Sequence, residues 1–352
     1  NPALYETVFS GDVNGDTKVN IVKSVAGRDS LVFSNNSDDL TYVLYCSQSH
    51  MEQLKPTISE SDTAFYLYGI VIRYGKFRGV ELDHSYNAYS IVENSTFEYN
   101  EIGSHLQQGA VVFTNCVFKN NDTGFSRYDG EMNNNRSINF RKCTFCYNNY
   151  AMSISGLYTG TTYVENSTIV NNFATIWASV HSYLSLVNNT ILNNGTHVRN
   201  SGYHGDKVFV LKGNIIDTLA FINNGTATTF FKSSYNYGNI DFSENSEVED
   251  DSNLPMKGRK ELSSFVDGTY DAKSDVFIPE VKNNGGFTPT VALKSDKLSD
   301  GKSIRFPRLD DVLTDQRGES RDDMTCMGAY EMMEIDTVFV RDTIVLGETY
   351  VF

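Results

Sequence analysis

Several features that mark common protein classes are scarce or missing in this chain. Among 352 residues there are 6 Pro, 1 Trp and 5 Cys. An odd number of cysteines excludes a complete set of disulfides within the chain. No uninterrupted apolar run approaches the length of about 18 residues that a membrane-crossing helix needs. The sequence therefore predicts no transmembrane span.

Positive charge and the common catalytic strings are also in short supply. The chain has 29 Lys and Arg against 44 Asp and Glu, a net charge of −15. This balance disfavours nucleic acid and anionic membranes as partners, and polyanionic sugars as well unless calcium bridges them. No HExxH, GxSxG or phosphate-binding glycine loop is present. The lone CTFC pair, Cys143 and Cys146, has no second pair or nearby His to complete a zinc site.

What the chain does contain is a short phrase that recurs down its middle. Copies read VENSTFEYN, FTNCVFKNN, FRKCTFCYNN, VENSTIVNN and LVNNTILNN, with weaker copies in LYGIVIRYG and LKGNIIDT. The apolar residues that align between the copies are Ile72, Phe97, Phe118, Phe145, Ile169, Ile191 and Ile216. They recur at steps of 21 to 27 residues, as in repeat proteins whose units bury their faces against one another. A unit of roughly 22–25 residues holds about three short strands, so the sequence predicts an all-β, right-handed parallel β-helix with one rung per copy.

Asparagine occupies two positions of this repeat. The first column holds Asn94, Asn115, Asn166 and Asn188, with Gly69, Lys142 and Gly213 in the other copies. The second column holds Asn100, Asn121, Asn148, Asn172 and Asn194, with Gly75 upstream. Asn tolerates left-handed backbone, and its amide donates and accepts along a stack of identical neighbours. Both columns are therefore predicted to be stacked corners, and the glycosylation sequons at Asn94, Asn166 and Asn194 are interpreted as by-products of them.

Two cysteines share a further position of the repeat. Cys116 and Cys143 occupy it in successive copies, where neighbouring strands would lie about 4.8 Å apart. A disulfide between them is one interpretation, and a stacked pair of buried thiols is the plainer one.

One string near the amino end has the spacing of a calcium loop. In GDVNGDTKVN, Asp12, Asn14 and Asp16 have the alternating spacing of the first EF-hand ligands. Thr17 stands where the turn requires Gly, and Lys23 stands where the loop requires its bidentate carboxylate. An Asx-rich turn is the favoured interpretation. The sequence predicts no cofactor, with calcium disfavoured.

The carboxyl third resembles a known family. KNNGGFTPTVALKSD at 282–296 and TDQRGESRDDMTCMGAYE at 314–331 resemble the closing signature of the choice-of-anchor Q group. These are parallel β-helix proteins of the pectin-lyase-like superfamily on bacterial surfaces. Repeats and resemblance together predict a β-helix over 1–331, with regular rungs at 67–222 and irregular rungs and a cap at 223–331. The resemblance implies an extracellular or cell-surface location and no particular activity.

The last residues have a different pattern. IDTVFVRDTIVLGETYVF alternates apolar and polar residues, as the strands of a small β-sandwich do. It resembles the start of the Ig-like tail modules of secreted Bacteroidetes proteins. We therefore expect 332–352 to begin a β-sandwich module that continues past Phe352 and engages secretion or anchoring machinery.

The strand after each second corner offers a candidate site. Alternation along these strands predicts one inward set, namely Val80, Leu82, Leu106, Phe125, Met152, Ile154, Ile176 and Val198. The outward candidates are then Glu81, Asp83, His105, Gln107, Tyr128, Trp177 and Arg199. Aromatic faces bind sugar C–H groups and polar groups bind hydroxyls, so this face is predicted to bind glycan. Arg127 falls on the inward register, which suggests a local bulge or a misplaced strand boundary.

Enzymes that cleave polysaccharides also use this fold. Pectate lyases need a calcium cluster of carboxylates and a basic residue that takes the C5 proton. Glu81 and Asp83 could begin such a cluster, but the adjoining rungs add no third carboxylate. The best other acidic pair, Asp129 and Glu131, falls in a predicted loop. The sequence favours a non-catalytic surface protein that binds glycan or serves as an adhesin or stalk, with a glycan or the surface of a host or neighbouring cell as partner. A polysaccharide lyase or glycoside hydrolase is the alternative. A passive spacer for the tail is a third interpretation.

Overall fold

The chain winds through three parallel β-sheets. A computed structural model describes residues 7–12, 15, 18–22, 30–34, 39–47, 63–83, 89–129, 137–156, 161–179, 183–195, 198–200, 209–217, 221–223, 226–228, 235–237, 240–241, 254–255 and 258–332. Within these residues the structure is strand and turn apart from one short helix. Successive strands join sheet 3, sheet 1 and sheet 2 in turn, and the cycle then repeats one rung further along.

Each sheet collects one strand from each rung. Sheet 1 consists of β1 (Thr7–Ser10), β6 (Ile70–Arg73), β9 (Thr96–Glu98), β12 (Val117–Lys119), β15 (Thr144–Cys146), β18 (Thr168–Val170), β21 (Thr190–Leu192), β24 (Ile215–Ile216), β28 (Ile240–Asp241) and β29 (Leu254–Pro255). Sheet 2 consists of β4 (Tyr42–Ser47), β7 (Arg78–Asp83), β10 (Ile102–Leu106), β13 (Thr123–Asp129), β16 (Tyr150–Gly156), β19 (Ala174–Ser179), β22 (Val198–Asn200), β25 (Phe221–Asn223) and the antiparallel β26 (Thr226–Thr228). Sheet 3 consists of β5 (Thr63–Tyr68), β8 (Tyr89–Glu93), β11 (Ala110–Thr114), β14 (Ile138–Arg141), β17 (Thr161–Glu165), β20 (Tyr183–Val187), β23 (Phe209–Lys212) and β27 (Tyr235–Tyr237).

The remaining described elements are short. An antiparallel pair near the amino end is formed by β2 (Lys18–Val22) and β3 (Ser30–Ser34). The carboxyl segment 258–332 contains α1 (Arg259–Phe265) and three further antiparallel pairs. These pairs are β30 (Gly268–Asp271) with β31 (Val276–Pro279), β32 (Val281–Lys282) with β33 (Thr290–Val291), and β34 (Arg305–Pro307) with β35 (Met324–Cys326).

The aligned apolar residues of the repeat form one inward file in sheet 1. Parallel pairing places them in continuous register, and all are buried: Ile72, Phe97, Phe118, Phe145, Ile169, Ile191 and Ile216. Their rings stack where they are aromatic, with centroids 4.8 Å apart for Phe97–Phe118 and 4.5 Å apart for Phe118–Phe145. This spacing is that of neighbouring strands. The predicted all-β parallel β-helix is confirmed.

The first asparagine column forms the corner between sheets 3 and 1. Asn94, Asn115, Lys142, Asn166 and Asn188 all have left-handed backbone, with φ between 46° and 57°. The glycines that replace Asn in other copies, Gly69 and Gly213, have φ of 66° and 65°. A residue with a bulky or β-branched side chain would be strained at these angles. The corner prediction is confirmed at every copy, including the Lys142 copy, which departs from the Asn pattern.

The second column works through its side chains rather than its backbone. Positive φ falls one residue earlier, at Tyr74, Tyr99, Asn120, Tyr147, Asn171 and Asn193. The predicted asparagines are buried, and four of them donate from Nδ2 to Oδ1 of the next rung's Asn at 2.9–3.1 Å: Asn100, Asn121, Asn148 and Asn172. The same Oδ1 atoms accept the backbone N–H of the neighbouring rung. This amide ladder satisfies the polar groups of a buried corner.

The stacked cysteines are thiols. Cys116 and Cys143 are buried and unbridged, and their Sγ atoms donate to the carbonyl oxygens of Val92 at 3.4 Å and Phe113 at 3.5 Å. Burial raises the pKa of the Cys116 thiol well above its usual value. The structure therefore has the stacked pair of buried thiols and not the disulfide.

The carboxyl segment packs on the outer side of sheet 1. Apolar residues of the segment, among them Phe265 and Phe306, cluster with Cys146, Val170 and Leu192 on that side. Helix α1 buries Leu262 and Phe265 in the same cluster. The outer side of this part of sheet 1 is therefore core.

Hydrogen bonds fix the position of the segment. Gln316 donates from Nε2 to the carbonyl oxygen of Cys143 at 3.1 Å and to Oγ1 of Thr144 at 2.8 Å, while its Oε1 accepts from Thr168 at 2.6 Å. Arg321 donates to Oδ1 of the corner residue Asn166 at 2.9 Å. The strings at 282–296 and 314–331 thus both supply hydrogen bonds between this segment and the rungs, the first through Thr288, which donates to the carbonyl oxygen of Lys142 at 3.0 Å. The domain boundary predicted at 331 stays a prediction, because 333–352 lie outside the described residues.

Candidate functional site

A row of polar residues runs across sheet 2, one from each strand. Strand register aligns Tyr45, Glu81, His105, Ser126 and Ser153, and we call these five residues the polar row. Their neighbours in sequence, including Val80, Leu82 and Leu106, are buried in the core, so the row lies on the opposite side of the strands.

The remaining candidates of this face are described only in part. Backbone register continues the polar row to Trp177 and Arg199. Tyr128 pairs through its backbone with Ser155. The side chains of these residues lie outside the described part of the chain, as do those of Asp129, Ile176 and Val198 and the whole of Glu131. Their predicted roles stay predictions.

Arg127 keeps the inward register. It pairs with Leu106 on one side and Ile154 on the other without a register shift, and its side chain is buried. The bulge or misplaced boundary predicted there is wrong. An arginine can occupy an inward position because its methylene stem packs against apolar neighbours.

His105 is the most perturbed group of the row. Its Nδ1 lies 2.6 Å from Ser126 Oγ, and its Nε2 lies 3.3 Å from Gln107 Oε1. An amide oxygen only accepts, so Nε2 carries the proton and Nδ1 accepts from the Ser126 hydroxyl. Burial, reinforced by the charge of Arg78 and opposed by the hydrogen bond to Gln107, lowers the pKa of His105 to about 4. The imidazole is therefore neutral at pH 7.

Glu81 is held by an arginine on its own strand. Arg78, three residues earlier, forms an ion pair with the Glu81 carboxylate. Burial raises the pKa of Glu81, and the hydrogen bond and charge of Arg78 oppose that rise. On the next outward position of the strand, Asp83 accepts a hydrogen bond of 3.0 Å from the Tyr45 hydroxyl. The two carboxylates of β7 thus have different surroundings.

The alternation of side chains along a strand predicts which side each candidate lies on. The exposed fraction of each side chain then separates buried candidates from accessible ones. Glu81 is 4% exposed and His105 is 3% exposed, although both lie on the outward side. Asp83 and Gln107 are half-buried. Only the latter two can meet a ligand without rearrangement, whereas Glu81 and His105 can orient their neighbours.

An aromatic group stands beside these residues at the start of sheet 2. Tyr42, Tyr45 and Phe77 are all exposed, and we call them the aromatic group. Ring centroids are 5.5 Å apart for Tyr42–Tyr45 and 6.3 Å apart for Tyr42–Phe77. The guanidinium of Arg78 lies 4.6 Å from the Phe77 centroid and 5.9 Å from that of Tyr42, within the range of cation–π attraction.

Sequence reasoning missed the aromatic group. Tyr42 and Tyr45 belong to a strand before the first recognisable copy of the repeat, and Phe77 falls in the turn before β7. The available signal was the string TYVLYC, whose aromatic residues flank an apolar centre in the position of one more rung.

The calcium-like string is described at two of its positions. The backbone N–H of Gly15 donates to Oδ1 of Asp12 at 2.8 Å, which is an Asx-type turn. Asn14 and Asp16 lie outside the described residues. In the part of the chain that the structure describes, no group of three or more His, Cys, Asp or Glu is placed to hold a metal ion. That this string binds no calcium stays a prediction.

Comparison with protein families agrees with the three-sheet architecture. Residues 12–194 match the family model of the right-handed β-helix region. The match covers slightly more than half of the chain, so the chain belongs to this family, whose fold is that of the pectin-lyase-like superfamily. No curated protein and no solved structure matches the chain. Within the described ranges, no helix has the length and apolar character needed to cross a membrane.

The low pKa of His105 predicts a pH-dependent loss of stability. Because the folded-state pKa is about 4 and the ordinary value is 6.5, the unfolded chain binds this proton first as pH falls. Stability is then lost between pH 6.5 and 4, by about 3 kcal/mol at most. We expect urea unfolding to show a smaller loss for His105→Gln than for the wild type over this window.

The difference between the wild type and His105→Gln isolates the contribution of His105 to the pH dependence of stability. The raised pKa of Glu81 has the opposite sign, since a folded state that binds the proton more readily gains stability as pH falls. That contribution is present in both proteins and cancels in the difference. Equal losses in the two proteins would contradict the assignment of a buried, neutral His105.

Proposed function

We propose that the protein is a non-catalytic extracellular or cell-surface β-helix protein that binds glycan at the aromatic group and the adjoining polar row. The observation that carries this proposal is the exposure of Tyr42, Tyr45 and Phe77 beside the half-buried Asp83 and its hydrogen-bonding partner Tyr45. Soluble proteins seldom expose clustered aromatic rings without a binding role. Sugar C–H faces pack on such rings, and carboxylates accept sugar hydroxyls.

The predicted glycan residues take different roles in this proposal. Asp83 and Gln107 contact the ligand, because they are half-buried at the surface of sheet 2. Glu81 and His105 orient neighbouring side chains from below: His105 contacts Gln107 Oε1, and Glu81 holds Arg78 against Phe77. Tyr128, Trp177 and Arg199 stay predicted members of the binding surface, and their backbones belong to strands of the same sheet.

Hydrogen bonding at the row supports binding rather than cleavage. A chain of hydrogen bonds links Ser126 to His105 and His105 to Gln107, in the manner of a nucleophile, a base and an orienting group. In a Ser-His-Asp triad the third member is a carboxylate whose charge stabilises the imidazolium, whereas Gln107 is an uncharged amide. The carboxylate nearest in register, Glu81, is paired with Arg78.

Glycan-array binding followed by calorimetric titration tests the proposal. Tyr45→Ala should weaken binding at least tenfold, as expected for removal of a central aromatic contact. Tyr163→Ala is the matched control, because Tyr163 is 44% exposed against 49% for Tyr45 but belongs to sheet 3. Both variants should keep their thermal stability within a few degrees.

Three results would contradict the proposal. Equal weakening by Tyr163→Ala would place the site elsewhere, and unchanged binding by Tyr45→Ala would exclude the aromatic group. New reducing ends or unsaturated products from any polysaccharide would replace the non-catalytic proposal with the alternative, a lyase or glycoside hydrolase.

A further inference from the structure

The charges around the aromatic group are already paired among themselves. Arg78 lies against two of the rings, and it forms an ion pair with Glu81. Its contacts with Phe77 and Tyr42 leave its side chain mostly buried. The Glu81 carboxylate already offsets the charge of this mostly buried guanidinium, so an anionic ligand would gain little from it.

Beside the aromatic group, none of His105, Gln107 and Asp83 carries a positive charge at neutral pH. His105 is a neutral imidazole because of its burial and the nearby charge of Arg78. Gln107 is an amide, and Asp83 is a carboxylate at the outward position of β7. Lys76, the next cation along the chain, acts on Glu101, which also feels the charge of Asp122. Among the described side chains at and around the aromatic group, acidic groups therefore outnumber basic groups.

From this charge arrangement we infer that the site selects neutral glycans over glycans bearing uronic acid or sulfate. This inference rests on the proposed function and specifies its ligand class. The aromatic group supplies contact with uncharged sugar faces. Asp83 accepts sugar hydroxyls, while it repels a sugar carboxylate or sulfate placed a few ångströms away. The net charge of −15 adds a long-range repulsion of the same sign.

Matched pairs of oligosaccharides test the inference. Each pair has one backbone with and without charge: fully methyl-esterified and de-esterified oligogalacturonides, cello-oligosaccharides and their C6-oxidised forms, and xylo-oligosaccharides with and without glucuronic acid. Titration of the wild-type protein at low salt should give at least tenfold tighter binding of the neutral member in any pair that binds. The ratio should shrink as salt is added, because screening weakens the repulsion.

A variant without the Asp83 charge tests whether this carboxylate causes the preference for neutral glycans. Asp83→Asn keeps the size of the side chain and an acceptor oxygen but removes the charge, so the acidic member should gain several-fold in affinity. Asp310→Asn removes one exposed charge in the carboxyl segment and should leave the ratio unchanged. Thermal unfolding of both variants establishes that they are folded.

The outcomes separate this inference from the proposed function. Binding of acidic members as tightly as neutral members, or more tightly, would overturn the neutral-glycan inference and leave glycan binding intact. An unchanged ratio in Asp83→Asn would overturn the role given to Asp83. Absence of binding to every pair and to a broad glycan array would overturn both proposals together.

Discussion

Replacing Phe118 with Ala should lower the free energy of unfolding by about 3–5 kcal/mol, the range for deleting a buried aromatic ring. The Phe118 ring lies between Phe97 and Phe145, with centroids 4.8 Å and 4.5 Å away and nearly parallel planes. Phe113 and Phe140 meet it edge-on at 5.2 Å and 6.1 Å. Every one of these rings is buried, so neighbouring side chains cannot easily fill the cavity.

Chemical denaturation followed by two spectroscopic probes measures this loss. Two probes are needed because a repeat protein can unfold in parts, and only coincident transitions give a single free energy. Phe173→Ala is the control, since Phe173 is an exposed Phe two rungs further along the helix, and it should change stability by no more than about 1 kcal/mol. Similar losses in the two variants would mean that the phenylalanine file is not the core of the helix.

The repeated parts of the fold could be predicted because every rung repeats one physical problem. A parallel stack needs an apolar residue at the same inward position and a left-handed residue at the same corner. Phe97 and Phe118 meet the first need, while Asn94 and Asn115 meet the second. Even Lys142, which breaks the Asn pattern, adopts the corner conformation, because the rungs on both sides determine the path of the chain.

A second hydrogen-bonded ladder was not predicted, because different residue types supply the side-chain donor at the same repeat position. Asn189 donates to the carbonyl oxygen of Val164 at 2.8 Å, and Asn214 donates to that of Leu186 at 2.8 Å. Ser167 and Cys143 stand at the same repeat position, and each donates to a backbone carbonyl oxygen. Ser, Cys and Asn share a donor at this position but little else, so a residue-by-residue alignment hides the second ladder.

For the candidate site, the sequence predicted only which face of the sheet each side chain lies on. Alternation separates Glu81 from Leu82 and His105 from Leu106, because successive side chains point to opposite faces. It carries no information on what packs outside a strand, and Glu81 and His105 are both buried. Their ionisation, and the contact between Ser126 and His105, depend on neighbouring strands and could not be derived from either strand alone.

The carboxyl strings were recognised by resemblance, and their physical role came from the structure. Asp315 accepts hydrogen bonds from the backbone N–H groups of Arg317 and Glu319 and from the Arg317 guanidinium. Arg317 lies with its guanidinium 3.7 Å from the ring centroid of Tyr330. Gln316, between them in sequence, reaches the rungs. The string DQRG thus both shapes a turn and attaches it to sheet 1.

Replacing Glu331 with Gln in this segment should lower the free energy of unfolding by about 3–5 kcal/mol, as breaking a buried ion pair does. Oε2 of Glu331 lies 3.1 Å from the Arg321 guanidinium and accepts the backbone N–H of Cys326 at 2.9 Å. Both side chains are buried. Burial lowers the pKa of Arg321, and the charge of Glu331 is the largest of the opposing causes. Without that charge the buried guanidinium loses its ion-pair partner.

A matched variant and a double-mutant cycle show whether the loss comes from the buried pair. Glu280→Gln removes a carboxylate that is paired with Lys282 at the surface, and it should change stability by no more than about 1 kcal/mol. Arg321→Gln alone should also destabilise, because Arg321 bonds Asn166 on the rungs. If Glu331 acts by neutralising Arg321, the double variant should lose clearly less than the sum of the two single losses. Additive losses, or a Glu331→Gln loss as small as that of Glu280→Gln, would mean that the segment is held to sheet 1 by its apolar contacts and by Gln316 rather than by this pair.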